Sequence, residues 1–141
     1  MVMTGDEETG TRAAEIRVAF EGLLQIRRLT NEGPGDPAAV PAEWELTRMV
    51  RAVTLTLEAA GHARCATDGS DAPLTTGFRV TDGERPGTVR VEWLGPAGSG
   101  AAQEEERALT ACAAALGRMG WEALLYRGPR RRRFLEVEPA G

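Results

Sequence analysis

Apolar residues recur at helical spacing in the first part of the chain. Four of them fall at positions i, i+4, i+7 and i+8 of a single helix face: Ile16, Phe20, Leu23 and Leu24. This spacing predicts a helix over residues 13–30. The glycines and prolines of residues 31–41 cannot continue a helix, so we expect the chain to turn there.

The same spacing predicts two further helices. One begins near Pro41, whose fixed φ suits a first helical position, and ends before Gly61. Its inward side chains are Leu46, Met49, Val50, Val53, Leu57 and Ala60. Glu43 and Glu45 in its first turn complement the positive end of the helix dipole. The other helix covers residues 101–119, and its inward side chains are Ala108, Leu109, Cys112, Leu116 and Met119.

The remaining segments alternate between apolar and polar residues, which predicts strands. There are five such segments: the short, weak residues 62–67, then 77–81, 88–94, 121–127 and 131–138. In the second and third, one face is apolar and consists of Phe78, Val80, Val89, Val91 and Trp93. The opposite face carries Arg79, Arg90 and Glu92. One buried face and one wet face are typical of an antiparallel sheet covered on one side.

This order of elements predicts an α+β fold with two layers. We expect a curved antiparallel sheet of about five strands, helices on one of its faces, and the order α-α-βββ-α-ββ. This packing does not require the first helix, which we expect to cover the other face of the sheet or an edge. Residues 1–10 form a flexible acidic leader in this interpretation, and residues 11–141 form a single domain.

Composition narrows the classes of function. The 141-residue chain has a formal net charge of −4, and every one of its 17 basic residues is arginine, as is typical of GC-rich, actinobacterial-type genomes. The acidic balance argues against indiscriminate nucleic-acid binding, which needs a dominant positive surface. No charged and apolar targeting segment opens the chain, and no run approaches the roughly 18 apolar residues that a membrane span needs. We therefore expect a cytoplasmic protein with no membrane partner.

Residues for nucleophilic or metal-assisted catalysis are few and far apart. Cys65 and Cys112 fit no disulfide or CxxC spacing, and we expect both to be free, reduced and buried. His62 is the only histidine, and a nucleophile normally needs a histidine base within reach. Zinc sites use about four Cys or His ligands, so we predict no metal, no cofactor and no enzymatic activity.

A glycine-rich segment, residues 95–100, stands between a predicted strand and the third helix, as in some phosphate sites. Three carboxylates follow it in the first turn of that helix: Glu104, Glu105 and Glu106. They would repel a phosphate and are explained by the helix dipole and by solvation. The sequence therefore favours a plain connector here.

Arginines concentrate around the turn of the last predicted hairpin: Arg127, Arg130, Arg131, Arg132 and Arg133. Guanidinium groups suit phosphate oxygens and guanine edges, so these residues are candidate anion or nucleic-acid contacts. Strand alternation divides them between the two faces, and Glu136 and Glu138 follow closely. A solvated hairpin or an acidic protein partner is the favoured alternative.

The last hairpin is apolar on both faces. Trp121 and Leu125 point one way, whereas Leu124 and Tyr126 point the other. A strand of this kind must be covered on both sides. The second cover is either the first helix or a second subunit, and the sequence does not decide between them. The candidate interaction surface consists of Leu94, Leu124, Tyr126 and Phe134.

Between Pro41 and Glu138, the order helix, three strands, helix, two strands resembles the type III secretion chaperone-like fold, which includes YbjN-like proteins. The resemblance implies a dimeric, non-catalytic binder of protein segments. The chain differs from that fold in its extra first helix and in having no helix after Glu138, and no functional residue carries over. The sequence thus predicts a protein-interaction module, an adaptor or chaperone-like protein acting as a homodimer. The alternative is a small DNA-binding or regulatory protein that uses the arginine hairpin.

Overall fold

A computed structural model describes residues 5–141, with side chains from Gly10 onward. Its helices are Gly5–Thr30 (α1), Glu43–Thr47 (α2), Met49–Ala59 (α3) and Ala101–Arg118 (α4), and 3₁₀ turns form at Pro37–Ala39 and Pro129–Arg131. Its strands are Gly77–Asp82 (β1), Val89–Leu94 (β2), Trp121–Arg127 (β3) and Arg133–Pro139 (β4). Helices and strands thus form an α+β fold, as the sequence predicts.

The four strands make one antiparallel sheet in the order β1-β2-β4-β3. β1 and β2 pair so that Phe78 lies opposite Trp93 and Val80 opposite Val91, which confirms the predicted apolar face. α4 connects β2 to β3, and β4 then returns between them. The sheet therefore has two outer strands, β1 and β3.

The predicted strand at residues 62–67 is wrong, and the sheet has four strands rather than about five. Arg64 forms only a single bridge to Phe78, flanked by the Cys65 N–H donating to the Phe78 carbonyl at 2.9 Å. The chain then turns at Asp68, whose carboxylate accepts from the Ser70 hydroxyl and from backbone N–H groups. These hydrogen bonds lower the pKa of Asp68 and stabilise a loop where the strand would have continued.

The predicted second helix is two helices, because the backbone leaves helical geometry at Arg48 (φ −132°, ψ 51°). Because of this break, the side chains of α2 do not continue the inward face that was predicted for one continuous helix. Leu46, predicted to face inward, is 44% exposed, whereas Glu45, predicted as a dipole partner in the first turn, is completely buried. Of the remaining predicted inward positions, Met49, Val50, Val53 and Leu57 lie in α3, whereas Ala60 follows its end and is exposed, so its inward assignment is wrong.

α1 begins at Gly5 and packs against α3 and the 3₁₀ turn at Pro37–Ala39 rather than against the sheet. Our expectation that it covers the second sheet face or an edge is therefore wrong. Of the predicted leader, residues 5–10 belong to α1, and residues 1–4 lie outside the described part of the chain.

The main core lies between the sheet and the helices α3 and α4. Its fully buried side chains include Val53, Leu57, Phe78, Val91, Leu109, Cys112, Leu116, Trp121, Leu135 and Val137. Most of the residues that the third-helix pattern directs inward are buried here, which confirms that pattern. Among the described residues, no helix combines the length and apolar character needed to cross a membrane.

A buried ion pair joins α1 to the rest of the molecule. Arg27 donates to both carboxylate oxygens of Glu45, at 2.8 and 2.7 Å, and neither side chain is exposed. The same guanidinium donates to the carbonyls of Ala38 and Met119, each at 2.9 Å. Glu45 also accepts the Ala42 N–H at 2.8 Å at the start of α2. Each charge is thus paired and hydrogen-bonded, which a buried ion requires.

Replacing Arg27 should therefore be costly, because it leaves the Glu45 carboxylate buried without its partner. We expect Arg27→Met to lower the free energy of unfolding by about 3–5 kcal/mol, measured by urea denaturation. Arg28→Met, at the exposed neighbouring position, is the matched control and should change it by no more than about 0.5 kcal/mol. Equal effects of the two substitutions would contradict this role of the pair.

Candidate functional site

β3 is an outer strand and hydrogen-bonds on one side only, to β4. The Ala140 N–H donates to the Gly120 carbonyl at 3.0 Å, so the even-numbered residues of this ladder bond toward β4. Because bonding alternates along an antiparallel strand, the N–H and C=O groups of Ala123 and Leu125 point away from the sheet. No other described segment pairs with this side of β3, which we call the open edge.

The open edge is flanked by apolar side chains on both sheet faces. Leu124, Leu125 and Tyr126 are exposed to 45%, 41% and 43%. Leu125 lies on the face that meets the helices, as the buried Trp121 does, whereas Leu124 and Tyr126 lie on the opposite, outer face. The two-faced pattern read from the sequence is therefore present, and no described helix covers the outer face.

The structure brings together three of the four residues of the predicted interaction surface. Phe134 lies opposite Tyr126 in β4, and Leu124 is two residues away on the same face. Leu94 does not join them, because it is only 7% exposed and lies at the end of β2 opposite Gly77. The exposed apolar surface is therefore Leu124, Leu125 and Tyr126, with Phe134 half-buried beside them.

A row of stacked side chains crosses the outer face toward the open edge. The Arg90 guanidinium carbon lies 3.8 Å from the centre of the Phe134 ring, and the Phe134 and Tyr126 rings are 5.8 Å apart with an interplanar angle of 27°. Cation–π and ring–ring contacts of this kind hold the side chains in place. The row presents Tyr126 to solvent in a fixed orientation next to the strand edge.

Ion pairs occupy the rest of the outer face. Arg79 lies 3.1 Å from Glu92, and Arg85 contacts Glu136 and, at 3.5 Å, Glu138. The hydrogen bond to Glu136 raises the pKa of Arg85 above its ordinary value. The charges on this part of the sheet therefore compensate one another, and its uncharged part consists of Leu124, Tyr126 and Phe134.

The arginines of the last hairpin form a second exposed feature, which we call the arginine turn (residues 128–133). Arg130 and Arg131 both have a φ of 60°, a left-handed conformation that costs about 1–2 kcal/mol per residue relative to the ordinary one. Neither has a carboxylate within ion-pair distance among the described side chains, and Arg127 has none either. The turn thus displays guanidinium groups that the described part of the chain does not neutralise.

The arginine turn faces the glycine-rich segment before α4, a proximity that no sequence pattern predicted. Residues 95–103 and 130–133, together with Trp93 and Glu105, line a cavity of about 760 Å³ between them. Glu105 is 4% exposed and accepts the Arg133 N–H at 2.6 Å, so this carboxylate fixes the turn against α4. Our prediction that Glu105 is a solvated charge is therefore wrong.

The two cysteines and His62, which the sequence analysis weighed for nucleophilic chemistry, lie in environments that shift their pKa. Both cysteines are free and buried, as predicted. Burial raises the pKa of Cys65, and that of Cys112 to about 12. Burial, and then the charge of Arg118, lower the pKa of His62. Among the side chains that the structure describes, from residue 10 onward, no three His, Cys, Asp or Glu are grouped so that they could hold a metal ion.

Comparison of the chain with protein-family models, with curated proteins and with solved structures finds no match. The resemblance to the type III secretion chaperone-like fold therefore rests on element order alone and stays a prediction. The open edge and the cavity beside the arginine turn must be interpreted from their own geometry. The sequence predicted the apolar residues of the open edge but not the cavity.

Alkylation of Cys112 tests whether its buried thiol is unreactive in the native protein. With a pKa of about 12, roughly one thiol in ten thousand is ionised at pH 8, and the sulfur is buried in the core. We expect no alkylation of Cys112 by iodoacetamide in the native protein over an hour at pH 8, and complete alkylation in guanidinium chloride, both measured by peptide mass spectrometry. Rapid labelling of Cys112 in the native protein would contradict this environment.

Proposed function

We propose that this chain is a non-enzymatic protein-interaction module that forms a homodimer through the open edge of β3. The observation that carries the proposal is an unpaired strand edge flanked by three exposed apolar side chains, Leu124, Leu125 and Tyr126. Native proteins normally shield such an edge with charges, prolines, bulges or a covering segment. Pairing with another strand would satisfy its backbone groups and bury these side chains together.

A second copy of the chain is an occupant whose side chains match this edge. In a two-fold dimer with antiparallel β3 strands, a register centred on Leu125 places Leu125 opposite its own counterpart. Leu124 then lies opposite Tyr126 of the second copy on the outer face. Every exposed apolar residue of the edge meets another apolar residue, and such cross-strand pairs are the unit of sheet stabilisation.

The charges at the two ends of β3 favour the same arrangement. Glu122 stands near its start and Arg127 at its end. Antiparallel pairing brings the acidic end of one strand beside the basic end of the other, whereas parallel pairing would bring the two arginine turns together. Glu122 and Arg127 lie on opposite faces of the strand, so these charges favour the antiparallel orientation without setting the register.

DNA binding through the arginine turn is the weaker alternative. Its guanidinium groups face a cavity beside α4 instead of forming one continuous stripe, and the domain as a whole has a net charge of −4. Phosphate-backbone binding depends on several cations aligned along the duplex. The geometry of the turn supports contact with a compact anion better than contact with a groove.

The oligomeric state tests the proposed dimer. Light scattering after size exclusion should give twice the 15.1 kDa mass of the chain at about 100 μM, a concentration that suits micromolar dimerisation. Leu125→Lys places a charge at the centre of the pairing and should give a monomer. Leu74→Lys, at an exposed leucine far from β3, is the control and should remain dimeric. A monomeric wild-type protein at this concentration would refute the proposal.

Amide hydrogen exchange tests the pairing itself. In a dimer formed through the open edge, the N–H groups of Ala123 and Leu125 acquire acceptors and should exchange at least tenfold more slowly than in Leu125→Lys. The amides that already bond to β4, such as that of Leu124, serve as internal controls. A stable dimer in which Ala123 remains unprotected would place the interface elsewhere on the molecule.

A further inference from the structure

We propose that the cavity between the arginine turn and the first turn of α4 is a binding site for a di- or polyphosphate group of a small molecule. This site is distinct from the open edge of β3, and the proposal does not depend on dimer formation. It rests on three observations: the unneutralised arginines, the backbone that faces them, and the position of the only carboxylate in the cavity wall.

The cationic wall of the cavity comes from consecutive residues of one turn. Arg130, Arg131, Arg132 and Arg133 all line it, and Glu105 is the single acidic residue that does so. Four guanidinium groups against one carboxylate leave a net charge of +3 in a protein whose net charge is −4. Desolvation next to the protein strengthens the attraction of such a cluster for a multivalent anion.

Arg130 and Arg131 are the residues best placed to receive the anion. Arg133 is engaged by Glu106 at 3.5 Å and by Glu105 at 3.9 Å, and Arg132 lies 3.9 Å from Glu105. The other two have no described carboxylate within 4.0 Å. Two free guanidinium groups can each bind phosphate oxygens in a bidentate manner, which matches a pyrophosphate better than a single monoanion.

The opposite wall consists of backbone and small side chains. Gly95, Gly98 and Gly100 expose the main chain, and Ala101, Ala102 and Gln103 form the first turn of α4. The partial positive charge at a helix N-terminus favours an anion, although the Ala101 N–H already donates to the Ser99 hydroxyl at 3.3 Å and the Gln103 N–H to the Gly100 carbonyl at 3.1 Å. The indole N–H of Trp93, which also lines the cavity, has no acceptor among the described atoms.

The carboxylates that follow the glycine-rich segment do not oppose this binding in the way that the sequence implies. Glu105 is buried and is compensated by the Arg133 N–H and the nearby guanidinium groups. Glu104 and Glu106 do not line the cavity, and Glu106 pairs with Arg133. The expected repulsion is therefore largely neutralised before any ligand arrives.

The dimensions of the cavity favour a small molecule over a polymer. A volume of about 760 Å³ lies within the range of about 300–1,000 Å³ that is usual for small-molecule sites. The walls approach from two sides, from the arginine turn and from α4, so the anion would be held between them. A nucleic-acid duplex or an acidic peptide would contact only the outer rim of the turn.

Inorganic pyrophosphate is the probe that tests the site, by isothermal titration of the full chain at low salt. We expect a dissociation constant below about 1 mM. The variant Arg130→Gln/Arg131→Gln should weaken binding at least tenfold. Arg17→Gln/Arg28→Gln removes the same charge from exposed positions of α1 and is the matched control, expected to change binding less than threefold. Unchanged unfolding midpoints will show that both variants are folded.

An NMR titration of the wild-type chain locates the ligand without any loss of arginines. The three tryptophan indole N–H groups, of Trp44, Trp93 and Trp121, all lack acceptors, but only Trp93 lines this cavity. Pyrophosphate should shift the Trp93 indole signal, identified by its disappearance in Trp93→Phe, and leave the other two in place.

Each alternative result overturns the proposal in a recognisable way. Absence of binding at 10 mM pyrophosphate (about ten times the expected dissociation constant) would rule out the site, and equal weakening by the two arginine pairs would leave only general electrostatic attraction. Binding of a short DNA duplex or a polyglutamate peptide that pyrophosphate cannot displace would assign the turn to that polymer instead. Leu125→Lys should leave pyrophosphate affinity unchanged, so that failure of the dimer and failure of this site can be told apart.

Discussion

The burial of Arg27 against Glu45 is the interaction on which the arrangement of the helices depends. One guanidinium satisfies the carboxylate at the start of α2 and two backbone carbonyls, at Ala38 and at Met119. The four acceptors leave it little freedom, so α1 is fixed against α2 and the end of α4. Without this set of contacts, two charges in the interior would each incur a large desolvation penalty.

This placement of α1 explains why the sheet keeps an uncovered face and an open edge. A helix committed to α3 and to the 3₁₀ turn at Pro37–Ala39 cannot also shield β3. Gly120 is part of the same constraint, since its φ of 85° and its close approach to the Ala39 carbonyl leave no room for a side chain where α4 gives way to β3. The strand therefore starts from a rigid point in the core and ends at an exposed turn.

Hydrophobic periodicity correctly predicted the helices and strands that bury a single face against one neighbouring layer. The faces of β1 and β2 and the inward side of α4 follow directly from period-two and helical spacing. The pattern failed at Arg48, where the backbone leaves helical geometry, and at residues 62–67, where the hydrogen bonds of Asp68 form a loop. It also assigned Glu45 to the helix dipole and Glu105 to solvent, because no local pattern shows that an arginine 18 residues earlier or a turn 28 residues later supplies a partner.

Because local patterns do not show distant partners, the sequence revealed one of the candidate sites and not the other. The apolar residues of β3 are visible in the sequence, since their alternation leaves large side chains on both faces. Leu94 was grouped with them from its parity alone, although its strand ends in a buried corner. The cavity could not be found in this way, because its two walls come from segments 30 residues apart that each resemble an ordinary connector.

The contact between Arg27 and the Met119 carbonyl spans 92 residues of chain. During synthesis from the N-terminus, the helix that carries Arg27 leaves the ribosome long before its last acceptor has been translated. Glu45 arrives early enough to neutralise the charge, but the complete set of acceptors exists only once α4 has formed. Closure of this set of hydrogen bonds around Arg27 is therefore a late event for the nascent chain.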